Sequence, residues 1–206
     1  MTDKRKVSNL LGLAVLSYLS QEPMHPYALG RALREHGDAR SIKYSPGSLY
    51  MVVGQLARAG LVEEHATGRE GQRPEHTVYA LTDAGRRELH DWLRELVGQP
   101  RHEYPDLVAA LAFVSALPPG EVTELLTGRL DLLSRQRAEI SGLIADSVAR
   151  GIPGLFLLEE EYRLALLDAE YGFVQRLIVR MADPATDWIT LWADHHNQTD
   201  KERGTQ

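Results

Sequence analysis

Apolar residues recur at helical spacing over most of the chain. Leu10, Leu13, Ala14 and Leu16 place an inward stripe on a first helix, predicted over Val7 to Leu19. A connector with two prolines, Pro23 and Pro26, follows. Ala28, Leu29, Ala32 and Leu33 mark a second helix from Tyr27 to His36. Pro26 suits its first position, where a missing N–H costs nothing, and Gly37 is its stop. Asp38 to Tyr44 is a short, partly basic loop that contains Lys43. The third helix has the clearest start in the chain, with Ser45 as N-cap and Pro46 as first helical residue. Leu49, Val52, Val53 and Leu56 form its buried stripe, and Gly60 ends it.

The period then changes from helical to alternating. Leu61 to His65 and His76 to Leu81 read as the two strands of a hairpin, joined by a turn-rich tip from Gly68 to Pro74. Thr82 caps a fourth helix that runs to Val97, with Asp83 at its positive end. Gly98-Gln99-Pro100 is the best domain boundary. Everything beyond it reads as helix: Asp106 to Ala116, Glu121 to Ala149 and Leu155 to Met181, separated by Pro118-Pro119-Gly120 and Gly151-Ile152-Pro153-Gly154. The expected fold is mainly α with a small β-hairpin. One domain is expected over residues 1–98 and a helical one over 105–194. The polar tail, 195–206, is expected to be disordered.

The last long helix carries two apolar stripes. One is Leu155, Leu158, Tyr162, Leu166, Ala169, Phe173 and Leu177; the other is Leu164, Leu167, Tyr171, Val174 and Ile178. At about 100° per residue their centres lie roughly 140° apart. A helix with two apolar faces needs two partners. Its own domain covers one and a second subunit the other. Leu164, Leu167, Tyr171, Val174 and Ile178 are the candidate dimer interface.

Composition narrows the chemistry. The 206 residues include no cysteine, which excludes a disulfide, a thiolate zinc site, a cysteine nucleophile and a thiol redox sensor. No apolar run reaches the roughly 18 residues of a membrane span, and no small-residue cleavage site marks a signal peptide. A cytoplasmic location fits this pattern. No Gly-rich phosphate loop, His-Glu-x-x-His or Gly-x-Ser-x-Gly motif points to an enzyme. The pair His195-His196 has no spaced carboxylate or cysteine beside it, so neither a metal nor a cofactor is expected. Glu159-Glu160-Glu161 reads as a solvated helix start. The net charge of −6 argues mildly against nucleic acid, but it is unevenly spread. Residues 1–81 hold 10 Lys and Arg against 8 Asp and Glu, whereas residues 82–206 hold 13 against 21. Phosphate contacts depend on one face and not on the total.

Three helices followed by a hairpin is the order of a winged helix-turn-helix. Its third helix fits the DNA major groove and brings N-terminal residues to the base edges. The buried stripe leaves Ser48, Tyr50, Met51, Gln55 and Arg58 on the open face. Arg69 and Arg73 lie on the tip, where a wing approaches phosphates or a minor groove. Tyr27, Lys43, Ser45 and Gly47 complete the candidate DNA-binding set; Ser45 is first a helix cap, and for Tyr27 core packing is an equal alternative. Lys4, Arg5 and Lys6 form a short basic arm ahead of the first helix.

Ser45-Pro46-Gly47-Ser48-Leu49-Tyr50, followed by Gln55-Leu56-Ala57-Arg58-Ala59-Gly60-Leu61-Val62, resembles the PadR family of bacterial transcriptional regulators. Val78-Tyr79-Ala80-Leu81-Thr82-Asp83-Ala84-Gly85-Arg86 and His25-Pro26-Tyr27-Ala28-Leu29 continue the likeness over residues 8–98. Pro26 departs from the family's glycine, and Met51-Val52-Val53 departs on the reading helix. The helical second half is similar to the longer-tailed members of that family. The resemblance implies a homodimeric repressor on a palindromic double-stranded operator, and an effector that is small and often aromatic. The alternative is a winged-helix module that binds protein without reading DNA.

Overall fold

The computed structural model describes residues 7–68, 76–188 and 190–194. The chain divides into two compact units, Met1–His102 and Glu103–Gln206.

The first unit is built from four helices and a hairpin: α1 (Leu10–Leu19), α2 (Pro26–Glu35), α3 (Pro46–Arg58), β1 (Val62–Gly68), β2 (His76–Leu81) and α4 (Asp83–Gly98). Each helix starts where a side chain can take an orphan N–H. Asn9 Oδ1 accepts from Leu11 N at 2.9 Å, so α1 begins at Leu10, three residues after the expected Val7. His25 Nδ1 accepts from Tyr27 N at 3.0 Å and Pro26 follows it, starting α2. Thr82 Oγ1 accepts from Gly85 N at 3.0 Å to start α4. Gly37 and Gly60 terminate α2 and α3 in the left-handed region, at φ of 78° and 74°. The loop after Gly37 folds into a 3-10 turn, Asp38–Arg40.

One apolar core holds these helices together. Leu11, Val15, Leu16 and Leu19 of α1 meet Leu29 and Leu33 of α2, the α3 stripe Leu49, Val52, Val53 and Leu56, and Leu89 and Trp92 of α4. Val7 is also buried there, although it precedes the helix. β1 and β2 pair antiparallel from Val62↔Leu81 to Gly68↔His76, with a bulge between Glu64 and Ala66. The connector before α2 adds a bridge that its prolines conceal. Met24 N donates to Tyr79 O at 3.0 Å, and Tyr79 N donates back to Met24 O at 2.9 Å. The hairpin is thereby tied to the entrance of α2.

The second unit contains α5 (Asp106–Ala112), α6 (Pro119–Ala149) and α7 (Leu158–Ala182). Ala112 ends α5 four residues before the expected Ala116, and the remainder is a 3-10 turn, Val114–Ala116. α6 is about 46 Å long and α7 about 37 Å. They pack through Val122, Leu126 and Leu133 against Val174 and Met181. Arg129 pairs with Glu170 at 2.6 Å, and Arg137 pairs with Asp168 while its guanidinium lies 4.5 Å over the Tyr171 ring. Trp188 and Trp192 pack against the same core, and Trp192 Nε1 donates to Leu117 O at 3.0 Å.

Three sequence expectations are corrected here. Leu155 is not in the helix; it belongs to a 3-10 turn, Gly154–Phe156, in which Phe156 N donates to Pro153 O at 3.0 Å and Leu157 N to Gly154 O at 2.9 Å, so α7 starts only at Leu158. Glu160 is not solvated: it is 3 % exposed and its Oε2 accepts from Arg163 Nε at 3.1 Å. The stripe assigned to a second subunit faces α6 of its own chain. Val174 is fully buried, and Leu167, Tyr171 and Ile178 pack around it. Leu164 joins Asp168, Ser134, Arg137, Ala138 and Ser141 around a shallow α6–α7 recess. The aliphatic knobs of α6 and the cations flanking them select this stripe, since Asp168 and Glu170 lie beside it. The row left open is the other one, with Leu158, Tyr162, Leu166 and Phe173 exposed.

Candidate nucleic-acid interface

The geometry of α3 follows from its first turn. Ser45 Oγ accepts from Ser48 N at 3.2 Å, and Ser48 Oγ accepts from Ser45 N at 2.7 Å. This reciprocal box satisfies two donors that a helix start otherwise leaves open. Ser48 Oγ also donates to Ser45 O at 2.9 Å. Both hydroxyls are therefore committed to holding the turn. Pro46 has no N–H, so the remaining first-turn donor is that of Gly47. Gly47 is exposed, and a Cβ on it would meet nothing within 4 Å. An anion can approach the α3 N-terminus at this point, where the helix dipole favours it.

Burying Leu49, Val52, Val53 and Leu56 turns the opposite face of α3 outward. Tyr50 is 51 % exposed and Met51 53 % exposed. Gln55 is half-buried, and Arg58 is exposed at the helix end. Tyr27, at the start of α2, is 67 % exposed, which removes the core-packing alternative for it. Lys43 and Ser45 are exposed in the loop and cap between α2 and α3. Tyr44 tucks under that loop and donates to Gly30 O at 3.4 Å.

The structure thus brings Tyr27, Lys43, Ser45, Gly47, Ser48, Tyr50, Met51 and Gln55 onto α3 and the segments leading to it. Arg69 and Arg73 lie outside the described residues. The hairpin that leads to them is in place, with its pairing running out to Gly68↔His76. One neighbour of the reading helix escapes the sequence argument. The His25 ring meets the Tyr50 ring edge-on at 6.2 Å, linking the α2 cap to the second turn of α3. The signal available for it is a histidine directly before a helix-starting proline, a position that can cap.

Behind this face the helix-turn-helix is braced by polar contacts. The Tyr18 hydroxyl donates to Asp38 and lies 3.1 Å from His36 Nδ1, which is 3.0 Å from Ala32 O. The end of α1 is thereby fixed to the α2–α3 turn. Behind β1, Thr82 Oγ1 donates to Gly60 O at 2.8 Å and Leu61 O at 3.1 Å. Among the described residues, no group of three or more His, Asp or Glu side chains is arranged to hold a metal ion. No helix among them is long and apolar enough to cross a membrane.

Comparison with known proteins agrees with this geometry. Residues 15–91 match the model of the transcriptional regulator PadR-like family. The chain is 28% identical over 135 residues to the negative transcriptional regulator PadR of Bacillus subtilis, covering 65% of this chain and 71% of that protein. It is similar in fold to the crystal structure of Bacillus subtilis PadR in complex with operator DNA, with a TM-score of 0.69 and 20% identity over 84% of this chain and 99% of that one. It is also similar to Bacillus subtilis PadR in complex with p-coumaric acid, with a TM-score of 0.70 and 18% identity over 85% of this chain and all of that one. Through its winged-helix segment, residues 15–91, the chain is similar to the PadR-like family of transcriptional regulators.

Proposed function

We propose that this protein is a sequence-specific DNA-binding repressor that works as a homodimer on a palindromic operator. The observation that carries the reading is the outward face of α3. Tyr50, Met51 and Gln55 stand clear of the core on a helix whose start is held by the Ser45–Ser48 box. A helix presented in this way fits a major groove. Tyr50 and Gln55 are the groups on it that can hydrogen-bond to base edges. In this reading the Gly47 N–H, Lys43 and Tyr27 hold phosphates, with Arg69 and Arg73, on the hairpin tip by their sequence position, as further backbone ligands. The operator-DNA complex of Bacillus subtilis PadR supports the same use of this fold.

The dimer is supported by apolar surface that the second unit does not cover. Leu158, Tyr162, Leu166 and Phe173 form an open row on α7. An apolar groove of about 1030 Å³ runs between α5 and α6, lined by Leu107, Leu111, Phe113, Leu125 and Leu132. Surface of this kind on a folded unit marks an interface. A two-fold pair sets two reading helices about 34–36 Å apart, one turn of DNA. A small aromatic effector acts by binding one spacing of the two winged helices better than the other. The p-coumaric acid complex of Bacillus subtilis PadR makes that compound the first to try. The work is regulatory and not catalytic, and it takes place in the cytoplasm with the chromosome.

Binding to the DNA upstream of the protein's own gene tests the reading. Competition by excess random duplex separates sequence recognition from charge attraction. A site retained under competition supports the proposal. Equal affinity for all duplexes overturns it.

A further inference from the structure

The groove between α5 and α6 differs in chemistry from the open row of α7. Its volume of about 1030 Å³ reaches the upper end of the range for small-molecule pockets, roughly 300–1,000 Å³. Leu125 and Leu132, both exposed and seven residues apart, supply an apolar floor on α6. Gly128 lies between them on the same floor, and a Cβ there would meet nothing within 4 Å. The missing side chain leaves the floor open at its centre, although glycine is a poor residue for a helix interior. Phe113, just after α5, brings an exposed aromatic ring to the lining. The rim, in contrast, is acidic. Glu121, Glu124 and Asp131 line the groove, are exposed, and enter no ion pair with a described residue. Glu124 and Asp131 are also seven residues apart, so carboxylates run beside the leucines for about 10 Å. Two guanidiniums share the lining. Arg129 is committed to Glu170 at 2.6 Å, which leaves Arg135 as the free cation among the lining residues. Three carboxylates thus stand against one free guanidinium.

We propose that this groove is a binding site for a hydrophobic cation, a bulky apolar molecule that carries a delocalised or quaternary positive charge. The apolar body lies on Leu125 and Leu132 and fills the space over Gly128. The charge is held by Glu124 and Asp131, with the Phe113 ring as a further partner. A cation of this kind leaves water readily because its charge is spread over a large surface. It therefore gains from apolar burial and from attraction at the rim together. An aromatic carboxylate of the same size gains the burial but meets three like charges. A second copy of the chain is a poorer occupant. Groove against groove across a two-fold axis sets each carboxylate near its own counterpart, and like charges brought together this way oppose association. The exposed α7 residues Leu158, Tyr162, Leu166 and Phe173 carry no charge and suit a second copy better. The site uses no residue of α3 or the hairpin and does not depend on the DNA-binding reading.

The test titrates the full chain with tetraphenylphosphonium and with tetraphenylborate, two ions of the same shape and opposite charge, by isothermal calorimetry. The wild type is expected to bind the phosphonium at least about tenfold more tightly than the borate. The combined Glu121→Gln, Glu124→Gln, Asp131→Asn variant should weaken the phosphonium on the order of tenfold and strengthen the borate. Gly128→Leu fills the floor and should weaken both ions. Its melting temperature should equal or exceed that of the wild type, because leucine is the better helix former and the added carbon meets open space. Glu63→Gln with Glu64→Gln removes charge from β1 and should leave both affinities unchanged. Equal wild-type affinity for the two ions overturns the proposal, because apolar surface alone then explains the binding. An equal loss in the Glu63/Glu64 variant overturns it in favour of net charge. Undiminished binding to Gly128→Leu overturns it by moving the site elsewhere. A wild type that binds neither ion also overturns it, and weaker self-association of Leu125→Glu in sedimentation would then identify a second copy as the occupant.

Discussion

Gly85 offers the sharpest test of how the winged helix is assembled. It lies in the first turn of α4, directly over the link between α3 and β1. A Cβ built at this position would sit 2.0 Å from Leu61 O, 2.9 Å from Leu61 C and 2.7 Å from Leu81 Cδ1. Ordinary contact between such atoms is about 3.5 Å, so the two segments would have to part by more than 1 Å. The Leu61 carbonyl cannot swing aside cheaply. It accepts from Thr82 N at 3.2 Å and from Thr82 Oγ1 at 3.1 Å. Overpacking of this kind costs about 1–3 kcal/mol, and strained hydrogen bonds add about 1 kcal/mol. Alanine's better helix propensity returns up to about 1 kcal/mol. The net expectation for Gly85→Ala is a loss of about 1–4 kcal/mol, or about 4–30 °C in the melting temperature of a unit this size. Urea and thermal unfolding followed by circular dichroism measure it. Gly54→Ala is the matched control in the same unit. It sits inside α3 with nothing within 4 Å of the added carbon, so it should gain about 0.5–1 kcal/mol. A Gly85→Ala protein as stable as wild type would refute the close docking of α4 on the α3–β1 link.

The cap and the buttress make further predictions. Ser45→Ala should cost about 1 kcal/mol in unfolding experiments, and Ser45→Gly only a few tenths, because glycine tolerates the cap geometry. Tyr18→Phe removes the hydroxyl shared by Asp38 and His36, and should cost about 1–2 kcal/mol by the same measurement. Leu166→Glu with Phe173→Glu places charge on the open row of α7, at positions 53 % and 42 % exposed in the single chain. Folding should persist, while the proposed dimer dissociates about 10²–10⁴-fold more readily in sedimentation. An unchanged dimer would move the interface to another surface, the α5–α6 groove first.

Local chemistry made the first unit legible. Ser45-Pro46 fixed the start of α3 to the residue, and the spacing of Leu49, Val52, Val53 and Leu56 fixed its buried side, because caps and periodicity act within a few residues. Thr82 marked α4 for the same reason. Readings that depend on distant partners were less legible. Met24 lies between two prolines, and only Tyr79, far along the chain, turns it into a bridging residue. α7 carries two apolar stripes of similar quality. Sequence spacing shows that there are two, but the choice between them is made by Arg129 and Arg137 on α6. Glu160 looked like one of three solvated acids until Arg163 and the burial around it gave it a separate role. For the nucleic-acid face, the sequence placed the outward residues of α3 correctly.

The central claim is that the outward face of α3 reads DNA. The most direct measurement is the affinity of the full chain for its own upstream region against a scrambled duplex of the same composition, for wild type and for Gln55→Ala. The account expects the wild type to prefer the upstream region by 10³-fold or more at physiological salt. Gln55→Ala should lose about 1–3 kcal/mol on that region while binding the scrambled duplex as before. Equal affinity of the wild type for both duplexes, or an equal loss on both in the variant, would contradict it.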